Sequence, residues 1–207
     1  MHSNNIITNS KSNSGASGFR TTLVEFLLYK GQFILGNTGA IVPDFYNYKI
    51  VLINNAGTQN ENDIETNLKA LIKVTEKYGV QEKIRSILNI GSASGHTGSE
   101  FPEYCASKGG VIAYTKNVAL RVAGYGATCN SLDPGGVFTP LNDCVVNDPQ
   151  LWDEIMQQTP LKRWATTNEI AQWAYFLTVT NTFCTGQSIV VDGGESINSH
   201  FVWPKEK

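Results

Sequence analysis

The sequence lacks long apolar runs and long runs of like charge. Among its 207 residues, 16 Lys and Arg stand against 18 Asp and Glu, for a net charge of -2, and no five like charges follow one another. That balance argues against a nucleic-acid binder or a basic membrane-surface protein. The apolar stretches, such as residues 23–29, are far shorter than the about 20 residues of a membrane-spanning helix.

Cysteine and histidine are also few, and their spacing fits no metal site. The four cysteines and three histidines are scattered and include no C-x-x-C pair: Cys105, Cys129, Cys144, Cys184, His2, His96 and His200. Neither a zinc site nor a disulfide framework is indicated, and we expect no bound metal. Free thiols fit a reducing cytoplasm, although four cysteines could also pair. Residues 1–17 lack the apolar core of a signal peptide, which again favours a cytoplasmic location.

Short apolar runs alternate with longer helical patterns in a chain whose 41% of hydrophobic residues can bury a sizeable core. The strand candidates are Gln32–Leu35, Ile50–Ile53, Ser86–Ile90, Ala127–Leu132 and Ser188–Val191. The helix candidates are Phe19–Tyr29, Ile64–Tyr78, Pro102–Ala123 and Thr167–Val179. Thr166 and Glu169 form a capping-box pattern at the start of the last helix. This alternation predicts an α/β fold, a parallel sheet with helices on both faces.

The strongest chemical motif is Tyr104-Cys105-Ala106-Ser107-Lys108. Residues four apart lie on one face of a helix, so the Tyr104 hydroxyl and the Lys108 ammonium can serve one site. A free tyrosine, with a pKa of about 10, is a poor acid–base group at neutral pH, and a neighbouring cation lowers that pKa. Taken alone, the pair is also compatible with an ordinary surface contact.

Three of the predicted strands end in small or polar turns. The turns are Asn54-Asn55-Ala56-Gly57, Gly91-Ser92-Ala93-Ser94-Gly95 and Asp133-Pro134-Gly135-Gly136-Val137-Phe138-Thr139. In open parallel sheets, ligands bind outside the carboxyl ends of the strands, so the three turns together predict a nucleotide crevice. Ala93 stands where a G-x-S-x-G hydrolase needs its serine, which argues against that class. We interpret His96 as a loop residue rather than a catalytic one.

Five motifs, in this order, resemble the short-chain dehydrogenase/reductase family. They are Asn54-Asn55-Ala56-Gly57, Ser92, Tyr104-x-x-x-Lys108, Pro134-Gly135 with Thr139, and Asp192-Gly193-Gly194. The chain is similar to the branch of 3-oxoacyl-carrier-protein reductases and polyol or sugar dehydrogenases. The resemblance implies a single Rossmann-like domain with a doubly wound parallel sheet, expected over residues 13–207 after a disordered polar stretch at 1–12. It also implies an oxidoreductase that interconverts a carbonyl and a secondary alcohol by hydride transfer with NAD or NADP.

The resemblance assigns roles to individual residues. Tyr104 is expected to be the general acid/base, and Lys108 to lower its pKa and hold the nicotinamide ribose. Ser92 is expected to hydrogen-bond the substrate oxygen, and Asn67 to anchor the water of a proton relay. The other expected cofactor contacts are Gly15, Gly18, Phe19, Asn37, Asn55, Ala56, Gly57, Pro134, Gly135, Val137 and Thr139, the last at the nicotinamide carboxamide.

The chain departs from the family before residue 50. In the glycine-rich motif, Ser14 and Arg20 replace the first and third glycines, which serve the tight turn and the helix packing. Segments 19–29 and 32–35 are similar to the family's first helix and second strand. Asn37 lies where an acidic residue would hold the adenosine ribose, and it is uncharged, so the sequence does not choose between NAD and NADP.

The connections after that point are short. Lys49 follows Asn37 by 12 positions and Asn67 follows Gly57 by 10, which leaves no room for the family's usual strand and helices. We therefore expect the adenine-side strand and helices to be reduced and the catalytic half to be intact. The alternative hypothesis is a catalytically weak or inactive relative that has lost cofactor affinity and acts as a binding or structural protein.

Two further expectations concern the surroundings of the site. The segment Leu141–Thr159 is interpreted as a loop that acts as a substrate lid. Small residues in the long helix, an apolar C-terminal tail and the resemblance together indicate a homo-oligomer, a tetramer or a dimer. These residues are Ala106, Ser107, Gly109, Gly110, Phe201, Val202 and Trp203.

Overall fold

The computed structural model describes residues 49–59, 62–99 and 101–198, together with the backbone of three short strands before residue 49. The described strands are β1 (Ile7–Thr8), β2 (Glu25–Phe26), β3 (Phe33–Leu35), β4 (Ile50–Asn54), β5 (Ile84–Ile90), β6 (Thr128–Pro134) and β7 (Ser188–Val191). Helix α1 spans 64–79, with π-type turns at Ile64–Ala70 and Thr75–Gly79 around an α-helical turn at Leu71–Val74. The other helices are α2 (Ser94–Thr97), α3 (Pro102–Val122), α4 (Asp143–Val146), α5 (Pro149–Gln158) and α6 (Thr167–Tyr175), the last continued by π-type turns over Phe176–Thr180.

Five strands form one parallel sheet in the order β3-β4-β5-β6-β7. Successive side chains of a strand point to opposite faces, and both faces of this sheet are covered. On one face, Ile87 packs with Val118 and Val122 of α3. On the other face, Leu88 packs with Leu177 and with Ile170 of α6. The predicted parallel α/β sheet with helices on both faces is therefore confirmed.

The predicted helix Phe19–Tyr29 is wrong at its centre. Glu25–Phe26 is a strand, β2, and it pairs antiparallel with β1 through Ile7 and Phe26. A short apolar run does not distinguish a helix from a strand by periodicity alone, and the β-branched and aromatic residues of this run, Val24 and Phe26, favour a strand.

The place of β3 also differs from the prediction. In a doubly wound sheet of the family, the strands, numbered along the family's chain, lie in the order 3-2-1-4-5-6. The family's second strand is therefore not a neighbour of its fourth. Here β3 pairs directly with β4, through Phe33 with Ile50 and Leu35 with Leu52. Segment 32–35 therefore occupies the position next to β4 that the family's first strand takes. The backbone groups along the β4 edge need partners, and β3 supplies them.

The ends of the helices follow local chemistry. Pro102 opens α3, where its missing N–H costs nothing because the first turn has no acceptor for it. The capping box of α6 is confirmed, since Thr166 Oγ1 accepts from the Glu169 N–H at 3.2 Å and the Glu169 carboxylate accepts from the Thr166 N–H at 2.8 Å. Among the helices of the described residues, none is both long and apolar enough to span a membrane.

Candidate active site

The carboxyl ends of β4, β5 and β6 meet at one edge of the sheet. The strand register aligns Asn54 with Asn89, and Asn89 with Ser131. Side-chain hydrogen bonds join the same layer, because Asn54 Nδ2 donates to Asn89 Oδ1 at 2.7 Å and Asn89 Nδ2 donates to Thr115 Oγ1 of α3 at 2.9 Å. The three polar turns singled out in the sequence therefore emerge side by side, as predicted.

Lys108 lies at the centre of this edge with only 6% of its surface exposed. Its Nζ donates to the Ile90 carbonyl at the end of β5, at 2.9 Å. Burial lowers the pKa of Lys108 from 10.5 to about 8, and the nearby carboxylates of Asp133 and Asp63 act in the opposite direction. The site therefore holds a cation that can lose its proton close to neutral pH.

Tyr104 lies one helical turn before Lys108 in α3. The Lys108 Nζ is 5.6 Å from the centroid of the Tyr104 ring, so the predicted i,i+4 pair faces one site. Pro102 fixes the start of this helix just beyond the turn that follows β5. The ammonium and the phenol are thus held on one rigid element.

Asn67 is a buried polar residue of α1, with 1% of its surface exposed. It binds the backbone of Thr58 on both sides, accepting from the N–H at 2.7 Å and donating to the carbonyl at 2.9 Å. Its Nδ2 also donates to Ser107 Oγ of α3 at 3.1 Å. A Cβ added at Gly57 would lie 3.2 Å from Asn67 Oδ1 and 3.6 Å from Lys108 Nζ. The turn after β4 therefore passes directly over both side chains.

Ser92 follows β5 and is buried, with 7% of its surface exposed. Its Oγ accepts from the Ser94 N–H at 3.2 Å, in the first turn of α2. The next residue, Ala93, donates its N–H to the Pro134 carbonyl at 2.9 Å. The serine turn is thereby joined to the end of β6.

The turn after β6 is shaped by close backbone approach. A Cβ on Gly135 would lie 2.6 Å from the Asp192 Cβ, so only glycine fits there. Val137 bridges to Ala165, and its carbonyl accepts from Asn142 Nδ2 at 2.8 Å. Thr139 is extended and half-buried at the start of the segment that leads to α4.

The predicted lid contains two helices rather than a loop. Helices α4 and α5 occupy most of 141–159. Trp152 of α5 contacts two aromatic rings outside the lid, with centroids 5.7 Å from Phe138 and 5.1 Å from Trp164. Asp148 caps α5 by accepting from the Gln150 and Leu151 N–H groups. The lid therefore rests on an aromatic cluster beside the Pro134–Thr139 turn.

Sequence reasoning missed a buried acid at the same edge. Asp133, fully buried, contacts His96 Nε2 through Oδ2 at 2.6 Å and accepts from Ser131 Oγ. His96, interpreted from the sequence as a loop residue, lies in α2 as the partner of this acid. The sequence did carry an indication, because Asp133 directly follows the predicted strand Ala127–Leu132, and an aspartate is rarely buried without a partner.

Four predicted cofactor residues lie outside the described residues, namely Gly15, Gly18, Phe19 and Asn37. Of the others, Asn55 is exposed, and Ala56, Gly57 and Pro134 are half-buried along the turns. In the described part of the chain, no three His, Cys, Asp or Glu residues are grouped so as to hold a metal ion. All four cysteines lie in that part, and none is joined in a disulfide.

Comparison with known proteins gives consistent matches. A family model described as enoyl-(acyl carrier protein) reductase matches residues 34–196, from β3 to beyond β7. A 3-oxoacyl-(acyl-carrier-protein) reductase of Staphylococcus epidermidis is 30% identical over 196 residues, which cover 86% of this chain and 79% of that protein.

Two solved structures of dehydrogenases are also similar to this chain. A gluconate 5-dehydrogenase from Burkholderia cenocepacia, in complex with NADP and tartrate, has a TM-score of 0.66 at 29% identity, covering 73% of this chain and 67% of that one. An aldohexose dehydrogenase from Thermoplasma acidophilum, in ligand-free form, has a TM-score of 0.64 at 28% identity, covering 76% of this chain and 72% of that one.

Proposed function

Because the chain belongs to the short-chain dehydrogenase/reductase family, we propose that it is an NAD(P)-dependent oxidoreductase that interconverts a carbonyl and a secondary alcohol. The observation that carries this proposal is the buried Lys108 beside Tyr104, at the edge where β4, β5 and β6 end. A buried ammonium next to a phenol is the arrangement that acid–base chemistry by tyrosine needs.

The described residues fit the nicotinamide end of the cofactor. At Gly57 and at Gly135 a Cβ would be crowded by Asn67 and by Asp192, so glycine lets the turns after β4 and β6 pack closely at this edge of the sheet. Lys108, with Asn55 and Ala56 beside it, would hold the ribose, and Pro134, Gly135, Val137 and Thr139 would hold the carboxamide side. When bound, the cofactor supplies or accepts the hydride.

Tyr104 would hold the proton that the substrate oxygen gains or loses. A cation nearby stabilises a phenolate, which is the role that the family resemblance gives to the Lys108 ammonium beside Tyr104. The Lys108 cation is held in place by the Ile90 carbonyl, 2.9 Å from Nζ. The ammonium is therefore fixed beside the tyrosine ring while it stays buried.

Ser92 and Asn67 would serve orientation. Ser92 lies on a turn bonded to the end of β6, where its hydroxyl can hydrogen-bond a substrate oxygen. Asn67 hydrogen-bonds the Thr58 backbone through both Oδ1 and Nδ2, and its Nδ2 also donates to Ser107 Oγ. These bonds support a role in holding the Gly57 turn against Lys108, beside the relay role implied by the family resemblance.

Assembly and location are part of the same proposal. We propose a cytoplasmic homo-oligomer, a tetramer or a dimer, formed by a single Rossmann-like domain over residues 13–207. The small residues of α3 support it less than expected, because Ser107 bonds Asn67 and a Cβ on Gly110 would lie 2.6 Å from the Leu68 side chain. Two exposed apolar side chains are candidates for such an interface, since Phe183 is 95% and Leu120 is 82% exposed.

The decisive experiment compares Tyr104→Phe with wild type. Purified protein is mixed with NADH or NADPH and a simple ketone or a 3-oxoacyl thioester, and cofactor oxidation is followed by absorbance. Loss of the proton donor should reduce turnover by roughly 10²–10⁴-fold. Tyr125→Phe removes a hydroxyl from an exposed tyrosine beyond α3 and should leave turnover unchanged.

Two results would contradict this proposal. Tyr104→Phe with more than half of the wild-type turnover would show that the tyrosine is not the acid. If the wild-type protein oxidises neither NADH nor NADPH and changes the fluorescence of neither, that result would favour the alternative hypothesis of an inactive binding or structural protein.

A further inference from the structure

A buried acid at the site has no part in the chemistry described so far. Asp133 has none of its surface exposed and lies near the end of β6, between β5 and β7. Its two oxygens have separate partners: Oδ1 accepts from Ser131 Oγ on the same strand, and Oδ2 contacts His96 Nε2 on α2 at 2.6 Å. Burial raises the pKa of Asp133, and the bonds from Ser131 and His96 oppose that rise.

The neighbouring strand leaves room for this acid. A Cβ added at Gly91 would lie 2.0 Å from Asp133 Oδ1 and 2.8 Å from Ser131 Oγ. The carboxylate therefore occupies the space in which a side chain at position 91 would lie. Gly91, directly after β5, and Asp133 in β6 therefore pack directly against each other.

Through His96, the acid is linked to the turn that carries Ser92. His96 follows Ser92 by one helical turn, in α2. On its other side α2 touches α3 at the site lysine, because a Cβ on Gly95 would lie 2.9 Å from the Lys108 carbonyl carbon and 3.0 Å from the Gly109 nitrogen. Helix α2 is thus held between β6 and α3 by His96 and Gly95.

Asp133 also lies near Lys108, because its Oδ1 would be 2.0 Å from a Cβ on Gly91 and the Lys108 Nζ donates to the carbonyl of Ile90, the preceding residue, at 2.9 Å. Burial disfavours the ammonium, and the charged groups that oppose this effect are Asp133 on β6 and Asp63 just before α1. Tyr104 is the titratable group that faces Lys108 from α3 itself. His96 from α2 and Lys108 from α3 are the charged or titratable groups that face Asp133.

We propose that Asp133 is a positioning residue, which keeps the buried Lys108 ammonium charged and, through His96, holds the Ser92 turn against the end of β6. The part of this inference that concerns turnover rests on the proposed function. The part that concerns the charge of Lys108 does not, and it can be measured in a protein that turns nothing over.

The test is Asp133→Asn, which keeps the shape and removes the charge. Lysine labelled with ¹³C at the ε carbon reports the titration of each ammonium by NMR, and Lys108→Met identifies the signal of Lys108. Asp133→Asn should move the Lys108 midpoint to lower pH by about one pH unit, because a facing carboxylate is lost. Asp153→Asn, an exposed change on α5, should not move it.

The pH profile of turnover gives a second measurement. Activity that needs the Lys108 ammonium is lost as pH rises through the pKa of Lys108, so this loss should begin at lower pH in Asp133→Asn. His96→Gln keeps an N–H for Asp133 and should leave the Lys108 midpoint in place. Ser131→Ala keeps the carboxylate and removes only one of its bonds, so it should leave the midpoint close to the wild-type value.

A purely structural role would give a different result. Asp133→Asn would then lower the melting temperature while the Lys108 midpoint and the pH profile matched wild type, and that result would overturn the inference. If Asp133→Asn does not fold, an unchanged Lys108 midpoint in Asp133→Ala overturns it instead. A shifted midpoint in a protein without turnover would uphold the inference while the proposed function fails.

Discussion

The residues before and after position 50 differ in how much sheet they build. After residue 50, β4 to β7 are four to seven residues long, and β4 and β5 share five register pairs. Before it, the described strands β1, β2 and β3 are two or three residues long. The described strands of the part that carries Tyr104 and Lys108 have the usual length of strands in a buried sheet, and the described strands before residue 50 are shorter.

This contrast separates two parts of a dinucleotide site, the part that binds the nicotinamide end and the part that binds the adenosine end. We expect the nicotinamide end to lie against the turns that follow β4, β5 and β6, and the structure describes all three turns. The adenosine end depends on the first βα turn and on the acidic residue after the second strand. Here Ser14 and Arg20 replace glycines in that turn, and Asn37 carries no charge. We therefore expect the chain to keep the chemistry and to bind the cofactor weakly.

The largest expected effect is on cofactor affinity. We expect NADH and NADPH to bind with dissociation constants nearer the millimolar than the micromolar range, a difference of about 4 kcal/mol. The affinities of the two should be similar, because Asn37 neither attracts nor repels a 2′-phosphate. Reduced nicotinamide mononucleotide, which has no adenosine, should bind nearly as well as NADH. Calorimetric titration with all three ligands measures this.

Lys108→Met serves as the reference for this titration, because it removes a contact at the nicotinamide end. It should weaken all three ligands together. Micromolar binding of NADH, a hundredfold preference for one dinucleotide, or much weaker binding of the mononucleotide would each show that the chain before residue 50 builds a working adenosine site.

The same division separates what the sequence could predict from what it could not. Strands after residue 50 were predictable because they are apolar runs bounded by small or polar turns, and parallel strands bring those turns to one edge. The run Leu23–Tyr29 was not, because the periodicity of a short apolar run does not distinguish a helix from a strand, and the pairing of Phe26 with Ile7 joins residues far apart in the sequence.

Within the site, motifs located the residues but not their bonds. Tyr104 and Lys108 came from spacing along one helix. The contact of His96 with Asp133 joins residues 37 positions apart, on elements whose packing no local pattern specifies. Likewise, the small residues in α3 indicated an interface between subunits, whereas Gly110 packs against the Leu68 side chain of the same chain. Local patterns predict elements, and contacts between elements need the fold.

A smaller effect is expected at Gly91, in the half with long strands. Gly91→Ala places a Cβ 2.0 Å from the fully buried Asp133 Oδ1, so the carboxylate must shift. Overpacking of this kind costs about 1–3 kcal/mol. Gly124→Ala, where nothing lies within 4 Å of the added Cβ, is the matched control and should cost far less. Urea unfolding of both variants measures the difference.

The cause of that loss can be checked with a double-mutant cycle. In an Asp133→Ala background the atom that Gly91→Ala meets is gone, so the second substitution should cost less than it does in wild type. Equal costs in both backgrounds would show that the backbone at position 91, rather than the carboxylate, sets the requirement for glycine.

The smallest expected effect is at the cap of α6, which covers the second face of the sheet. Thr166→Ala leaves the Glu169 N–H without its side-chain acceptor and should destabilise the protein by about 1 kcal/mol. Thr166→Ser keeps the hydroxyl and should restore most of that loss, and Thr167→Ala, one residue into the helix, should be nearly neutral. Because α6 packs Ile170 against Leu177 and the β5–β6 core, the loss should appear in global unfolding measured by urea. A Thr166→Ala variant as stable as wild type would show that the half after residue 50 does not depend on this helix end.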